Sequence, residues 1–111
     1  MNPVVLIRKA STQSAPDQTW DSFWAWCPGC GDLVIVPVNT TLASQSWDWD
    51  GNLESPTLSP SLLTTYGSVG GVPRSCHSFL RAGQWEFLPD STHALSGKTV
   101  PMAPLPDWCF S

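Results

Sequence analysis

Apolar and polar side chains alternate over several short stretches of this chain, and a period of two is typical of β-strands. Residues 20–26 and 33–38 are two such stretches. Residues 75–80 and 84–88 form the clearest pair, because the three residues between them end in a glycine and supply a turn. The pattern therefore predicts short antiparallel strands, two of which are joined as a hairpin.

Polar and proline-rich stretches separate these strands. Residues 55–63 carry prolines four apart among hydroxyl side chains, which favours an extended edge or a surface loop, with a strand at 62–66. Residues 90–97 begin with capping residues and end at a glycine, so one helical turn is expected there. The remaining predictions are a strand at 4–7, loops at 11–18 and 39–46, turns at 50–51 and 67–71, and an extended proline-rich tail at 101–111.

Composition fits the same fold class. Eleven prolines and eight glycines argue against long helices, and seven tryptophans supply bulky apolar side chains. A chain of 111 residues forms one domain with a thin core. We therefore predict a small, mostly-β domain over residues 1–111, with an N-terminal strand and loop at 1–20. Such a domain needs a cross-link, such as a bound metal ion, in addition to its core.

Charge and hydropathy exclude several partners. The net charge is −4 and the five basic residues are scattered, so nucleic-acid binding is not expected. No stretch approaches the roughly 20 apolar residues of a membrane helix, and the N-terminus lacks the order of charges found in signal peptides. We expect no membrane partner and a cytoplasmic location, in the host cell if a phage encodes the chain.

The stretch Cys27-Pro28-Gly29-Cys30-Gly31, between two predicted strands, matches half of a zinc site. Pro28 fixes one backbone angle and the glycines permit positive φ values, so the chain can turn sharply enough for two thiolates to bind one ion. Thioredoxin-like redox chemistry is a second interpretation, but it needs a helix after the cysteines, and a β-branched run follows here. Disulfides are a third, since the chain has four cysteines.

A closed tetrahedral zinc site needs two further ligands. Cys76 in the predicted hairpin is the third, and we assign His93 as the fourth because the turn around it supplies polar neighbours for the ring. His77 competes for this position, and Cys109 is a weaker candidate. Because side chains alternate across a strand, Cys76 and His77 point to opposite faces and are not expected to reach one ion. The predicted ligands of a structural Zn²⁺ are Cys27, Cys30, Cys76 and His93.

No catalytic residue is assigned from the sequence. Asp90, Ser91 and His93 include the side chains of a hydrolytic triad, but they are neighbours in sequence, and no nucleophile-elbow glycines surround Ser91. If His77 binds the metal instead, His93 is free beside Asp90 and becomes a candidate general base. Residues 48–52 imitate the start of a calcium loop but lack its glycine and closing carboxylate. A metal-dependent or His93/Asp90-based enzyme is the alternative function.

Several separated motifs occur in a fixed order: Cys-Pro-Gly-Cys-Gly from Cys27, Pro-Thr-Leu-Ser-Pro-Ser from Pro56, Cys-His-Ser-Phe from Cys76 and Asp-Ser-Thr-His-Ala-Leu from Asp90. Over residues 24–106 the chain resembles a family of small uncharacterised proteins from tailed phages, prophages and bacteria. The resemblance implies a metal-binding domain, and some bacterial relatives are encoded beside ubiquitin-like conjugation genes. Many relatives carry a cysteine where this chain has Ser91, which excludes a ligand there.

From these observations we expect a phage or prophage accessory protein that acts as a protein-interaction module instead of an enzyme. Low charge and seven tryptophans motivate this expectation, because protein interfaces favour tryptophan and disfavour charge. The expected partner is a protein, such as a host protein. A structural role in the virion is a further alternative.

Overall fold

The computed structural model describes residues 2–110, and the side chains of residues 66–69 and 72–73 lie outside this description. Its strands are β1 (Val5–Thr12), β2 (Ala15–Cys27), β3 (Asp32–Val38), β4 (Asp48–Trp49), β5 (Leu58–Val69), β6 (Val72–Arg81), β7 (Gln84–Phe87) and β8 (Thr99–Pro101). They form one antiparallel sheet in the order β1-β2-β3 and a second in the order β4-β5-β6-β7-β8. The prediction of a small, mostly-β fold is confirmed.

The first sheet is a meander in which each strand pairs with the next one along the chain. The predicted strand at 33–38 forms as part of β3, but the loop expected at 11–18 is mostly strand. β1 and β2 continue through this polar segment because cross-strand pairing supports it: Lys9 lies opposite Asp21, and their side chains form an ion pair of 2.8 Å. Polar composition alone therefore indicated a loop where a solvated hairpin exists.

The second sheet is built around the long hairpin of β5 and β6. Gly70 and Gly71 connect the two strands with positive φ values of 59° and 80°, the backbone conformation that tight hairpins favour. The predicted pairing of residues 75–80 with 84–88 is present as the β6–β7 hairpin. β4 is only two residues long and pairs with the first residues of β5, so it covers one end of that strand.

One apolar core lies between the two sheets. Phe23 from β2 and Trp85 from β7 are both fully buried in it. An isolated bridge between Val38 and Trp47 joins the end of β3 to the segment before β4. Six of the seven tryptophans are buried or half-buried, and only Trp108 is exposed. Most of the aromatic surplus therefore serves the core.

Residues 90–97 form turns and no regular helix, and they include a single turn in which the Ser96 N–H donates to the His93 carbonyl at 3.1 Å. Their backbone groups bond to the neighbouring strands: the Thr92 N–H donates to the Ser75 carbonyl at 2.9 Å, and the Gly97 N–H donates to the Phe87 carbonyl at 3.0 Å. Bonding to these two strands satisfies both donors, so the segment does not continue as a helix beyond that single turn.

The tail is less extended than the prolines predict. Pro101 ends β8, and Asp107–Phe110 form a short 3-10 helix. Buried Leu105 fixes the tail to the body, because its N–H donates to the Pro3 carbonyl at 2.9 Å. Among the described residues, no helix has the length and apolar character that crossing a bilayer requires.

Candidate functional site

Three cysteine sulfurs meet at the edge of the core. Cys27 ends β2, Cys30 lies in the turn before β3, and Cys76 comes from the middle of β6. Their Sγ atoms all lie within 4.8 Å of one another, and the Cys27 and Cys76 sulfurs are 3.7 Å apart. Two thiolates on a tetrahedral zinc ion would be about 3.8 Å apart, given Zn–S bonds near 2.3 Å. This thiol cluster (Cys27, Cys30 and Cys76) therefore has the dimensions of a metal site.

The turn that forms the cluster depends on local hydrogen bonds. The Gly31 N–H donates to the Cys27 carbonyl at 2.9 Å, and the Cys30 N–H donates to Cys27 Sγ at 3.3 Å. Gly31 has a φ of 67°, as the sequence predicts. Gly29 has a different function, because a Cβ there would lie 2.4 Å from His93 Nε2. Gly29 is needed for close approach of the imidazole and not for an unusual φ.

Electrostatics concentrate negative charge on one sulfur of the cluster. Hydrogen bonds from Cys30 and Cys76 lower the pKa of the Cys27 thiol to about 3 from an ordinary value of 9.0, although burial opposes this shift. The Cys30 thiol donates a hydrogen bond to Cys27, which raises the pKa of Cys30 to about 12. A hydrogen bond from the Cys76 thiol to Cys27 likewise raises the pKa of Cys76. Without a cation the cluster therefore holds one thiolate and two thiols. A divalent ion bound by these three sulfurs would supply positive charge that favours loss of the other two protons.

His93 lies against this cluster. Its Nε2 is 3.3 Å from Cys76 Sγ, and its ring meets the Phe87 ring edge-on at 4.6 Å. The Leu95 N–H donates to Nδ1 at 3.2 Å, so the metal-free ring carries its proton on Nε2 and donates it to the Cys76 sulfur. The structure thus brings His93 beside the predicted zinc ligands and leaves Cys109 elsewhere, buried in the C-terminal 3-10 helix.

His77 points away from the cysteines, as alternation along β6 predicts. Its backbone is fixed by neighbouring loop residues: the N–H donates to Ser91 Oγ at 2.9 Å, and the Ser91 hydroxyl donates to the His77 carbonyl at 2.9 Å. Ser91 is buried at 7% exposure. Ser91 therefore positions the His77 backbone, which is a structural contact and not the nucleophilic role considered for it above.

The His77 imidazole joins two side chains that are distant in sequence. Its Nε2 is 3.1 Å from Ser61 Oγ, and its Nδ1 is 3.0 Å from the nearer carboxylate oxygen of Asp90. A carboxylate only accepts hydrogen bonds, so Nδ1 carries the proton and Nε2 accepts one from the Ser61 hydroxyl. Ser61 and His77 are half-buried, whereas Asp90 is exposed. The hydroxyl, imidazole and carboxylate have the order and spacing of a nucleophile, a general base and an orienting group.

The alternative enzyme hypothesis placed His77 at the metal site and His93 beside Asp90, and the structure shows the reverse arrangement. Asp90 pairs with His77, whereas His93 contacts the thiol cluster. Ser61 was missed because it lies in the 55–63 stretch with three other serine and threonine side chains and has no glycine signature. The feature that distinguishes Ser61 is visible only in the structure, where a register shift in the β5–β6 pairing falls between Leu58 and Leu62. A serine at a strand irregularity facing a histidine is recognisable only once the strands are paired.

Fold and site together define a small two-sheet β protein that carries a Ser–His–Asp array on one face of a strand and a thiol cluster on the other. The chain belongs to the BubE family, described as bacterial ubiquitination-like system serine protease, whose family model matches residues 3–88. The matched segment includes Ser61 and His77 and ends just before Asp90. No curated protein and no solved structure matches the chain.

The family match corrects the expected function. An accessory interaction module of phage origin is wrong as the main reading, because the family is described as a protease, and the enzyme alternative fits better. The number of tryptophans does not support an interface either, since six of the seven are buried or half-buried. The match also shows a defined family, whose description names a protease activity.

Proposed function

We propose that this protein is a serine protease in which Ser61 is the nucleophile, His77 is the general base and Asp90 orients the imidazole. The observation that carries the proposal is the continuous chain of contacts from Ser61 Oγ through both ring nitrogens of His77 to the Asp90 carboxylate, at 3.1 and 3.0 Å. The family of this chain is described as a serine protease, and this description supports the proposal independently.

The proposed reaction proceeds in two halves. Ser61 Oγ attacks the scissile carbonyl while His77 Nε2 takes its proton, and the imidazolium then gives that proton to the leaving amine as the C–N bond breaks. Water attacks the resulting acyl-enzyme with His77 again acting as the base, which releases the carboxylic acid and restores the Ser61 hydroxyl. Asp90 accepts the Nδ1–H throughout, so that Nε2 faces Ser61 and the imidazolium is stabilised.

The proposed substrate is a polypeptide component of a bacterial ubiquitination-like system. The family description supports this class. Ser61 is only half-buried, and a partly exposed nucleophile suits a polypeptide that reaches it from solvent better than a small enclosed ligand.

A fluorophosphonate probe tests the nucleophile without a known substrate, since it phosphonylates an activated serine. We expect one label per chain, on Ser61, with no labelling of Ser61→Ala and at least 100-fold slower labelling of His77→Ala. Ser59→Ala is the matched control, because Ser59 is an exposed serine two residues away on the same strand, and it should label normally. Labelling of another serine, or unchanged labelling of His77→Ala, would reject the proposal.

We further propose that the thiol cluster and His93 bind a structural Zn²⁺. The 3.7 Å sulfur spacing and the 3.3 Å contact from His93 Nε2 to Cys76 Sγ support this assignment, because about 3.8 and 3.6 Å are expected between such ligands of one tetrahedral zinc. A ring that binds metal through Nε2 carries its proton on Nδ1, so the Leu95 contact would be given up. Four protein ligands leave no open position, so the metal would stabilise the fold and take no part in hydrolysis.

The metal would also link the two parts of the catalytic array. Cys76 precedes His77 on β6, and His93 lies in the same turn-rich segment as Asp90. Zinc stoichiometry measured on single variants tests the ligand set: Cys76→Ser and His93→Ala should lose bound zinc, whereas His77→Ala and Cys109→Ser should retain it. A folded wild-type protein that binds no zinc, or zinc loss in Cys109→Ser, would contradict the assignment.

A further inference from the structure

The outer edge of β5 has no partner strand beyond Ser61 among the described residues. β4 pairs only with Leu58 and Ser59, and the sheet order places no other strand on that side. Trp47 closes the edge at the catalytic serine, because its indole N–H donates to the Ser61 carbonyl at 3.2 Å. From Leu63 onward the edge is open, directly beside the Ser–His–Asp array.

The direction of the backbone groups on this edge follows from contacts on the far side of β6. The His77 carbonyl accepts from Leu88 N–H at 2.8 Å and its N–H donates to Ser91, so its backbone groups point away from β5. Leu63 lies opposite His77 in the register, so this pair exchanges no backbone bonds. The N–H and carbonyl of Leu63 therefore point outward, to the open edge.

The same reasoning applies two residues further along. Ser75 directs its carbonyl and N–H at Thr92, at 2.9 and 2.8 Å, and Ser75 lies opposite Thr65. The backbone groups of Thr65 therefore also face the open edge. Leu63 and Thr65 together offer two donors and two acceptors in the spacing of a β-ladder, which is the pattern that an added strand requires.

Side chains on this edge also suit a ligand. Alternation puts Leu63 on the same face as Ser61. Leu63 is 63% exposed, the highest value among the large apolar residues whose side chains the structure describes. An exposed apolar side chain beside a nucleophile would contact whatever chain lies along the edge, because opposed residues of paired strands have Cβ atoms about 4.5–5.5 Å apart.

We infer that the substrate polypeptide binds as an additional antiparallel strand on Leu63 and Thr65, with its acyl-side residues along this edge and an apolar side chain against Leu63. This inference rests on the proposed protease function and specifies how its substrate is held. Antiparallel pairing matches every strand pair within the two sheets and brings the scissile carbonyl to Ser61, where Trp47 ends the open edge.

A peptide library with cleavage sites read by mass spectrometry tests the side-chain contact. Wild type should prefer an apolar residue at one position on the acyl side. Leu63→Lys should change that preference toward acidic residues, and Leu63→Ala should lower kcat/KM for the preferred peptides about 5- to 10-fold. Ile35→Ala is the matched control: Ile35 is an exposed apolar residue of the other sheet, at 50% exposure, and its loss should leave the profile unchanged.

Leu63→Pro tests the backbone contact. Proline is tolerated where an edge N–H faces solvent, so this variant should fold while losing one donor to the substrate, with about a 5-fold fall in kcat/KM. An N-methyl group on the matching peptide amide should have a similar effect on wild type and little additional effect on the variant. Circular dichroism of each variant checks that the fold is intact.

Fluorophosphonate labelling separates this inference from the proposed function. If Ser61 is labelled at the wild-type rate in the Leu63 variants while peptide cleavage falls, both stand. If Ser61 is labelled but the Leu63 variants cleave the library as wild type does, the edge is not the substrate site and the protease proposal survives. Pairing of two copies through this edge in solution, with no competition by peptides, would also overturn the inference. Absence of labelling in wild type would reject the protease proposal itself.

Discussion

Replacing Gly29 by alanine tests the proposed fourth metal ligand by geometry alone. Gly29 does not have a positive φ, so alanine adds a methyl group without straining the backbone. That methyl carbon would lie 2.3 Å from His93 Cε1 and 2.4 Å from Nε2, more than 1 Å closer than ordinary van der Waals contact. The ring must therefore move by a distance that exceeds the roughly 0.2 Å tolerance of a metal–ligand bond.

The size of the effect follows from the share of one ligand in the metal site. Structural zinc binds with an apparent free energy of about 10–16 kcal/mol, so the loss of one ligand in four corresponds to about 2.5–4 kcal/mol, or 10²- to 10³-fold in affinity. Competition with a chromophoric chelator measures this change. We expect Gly29→Ala to weaken zinc binding by about that factor.

A double mutant isolates the steric contact. His93→Ala alone should weaken binding about as much as Gly29→Ala does, and the double variant should be no worse than His93→Ala, because the methyl group then has nothing to displace. Wild-type affinity in Gly29→Ala would refute the assignment of His93. Fully additive losses would show that Gly29 acts through another part of the turn.

Three further predictions follow from the site. Asp90→Asn should lower kcat about 10²- to 10³-fold with little change in KM. This loss is smaller than that expected for removing the nucleophile, because water can partly replace a carboxylate that is 65% exposed. Equal effects on KM and kcat would argue against an orienting role for Asp90. Ser91→Ala should lower the free energy of unfolding by about 1–3 kcal/mol in urea denaturation, because the His77 N–H loses its acceptor and the His77 carbonyl keeps only its bond from the Leu88 N–H. Unchanged stability would contradict this. Zinc affinity should rise about 100-fold per pH unit between pH 7 and 8, because zinc binding should release two protons from the thiol cluster. Cys27 has a lowered pKa and is already a thiolate, whereas Cys30 and Cys76 have raised pKa values and each lose one proton when zinc binds. A 1,000-fold dependence would show that all three start as thiols.

Local patterns predicted part of the site. The alternation along β6 correctly placed Cys76 and His77 on opposite faces, because side-chain direction in a strand depends only on neighbouring residues. The turn around Cys27 and Cys30 was recognisable for the same reason. The two histidines were distinguishable only through this argument, since nothing adjacent to His77 in sequence indicates a base.

The contacts of His77 with Ser61 and Asp90, on which the proposed catalytic array depends, could not be predicted by local reasoning. Ser61 lies 16 residues before it, and Asp90 lies 13 residues after it. Their contacts depend on the register of β5 against β6 and on the path of the chain after β7. Asp90 was interpreted as a helix cap, which is the ordinary role of an aspartate at that position in a short turn. Pairing with the strands replaced the helix and released the carboxylate for His77.

The sequence by itself determined the β class, the hairpin of β6 and β7 and the sulfur-rich turn, because each depends on residues close together along the chain. Tertiary structure alone decided that Ser61 and Asp90 meet at His77 and which edge of the second sheet stays open. Those outcomes depend on strand register and sheet order, and a shift of one residue in the pairing would turn Ser61 and His77 to opposite faces. The contacts that carry the proposed chemistry therefore exist only after the two sheets have assembled.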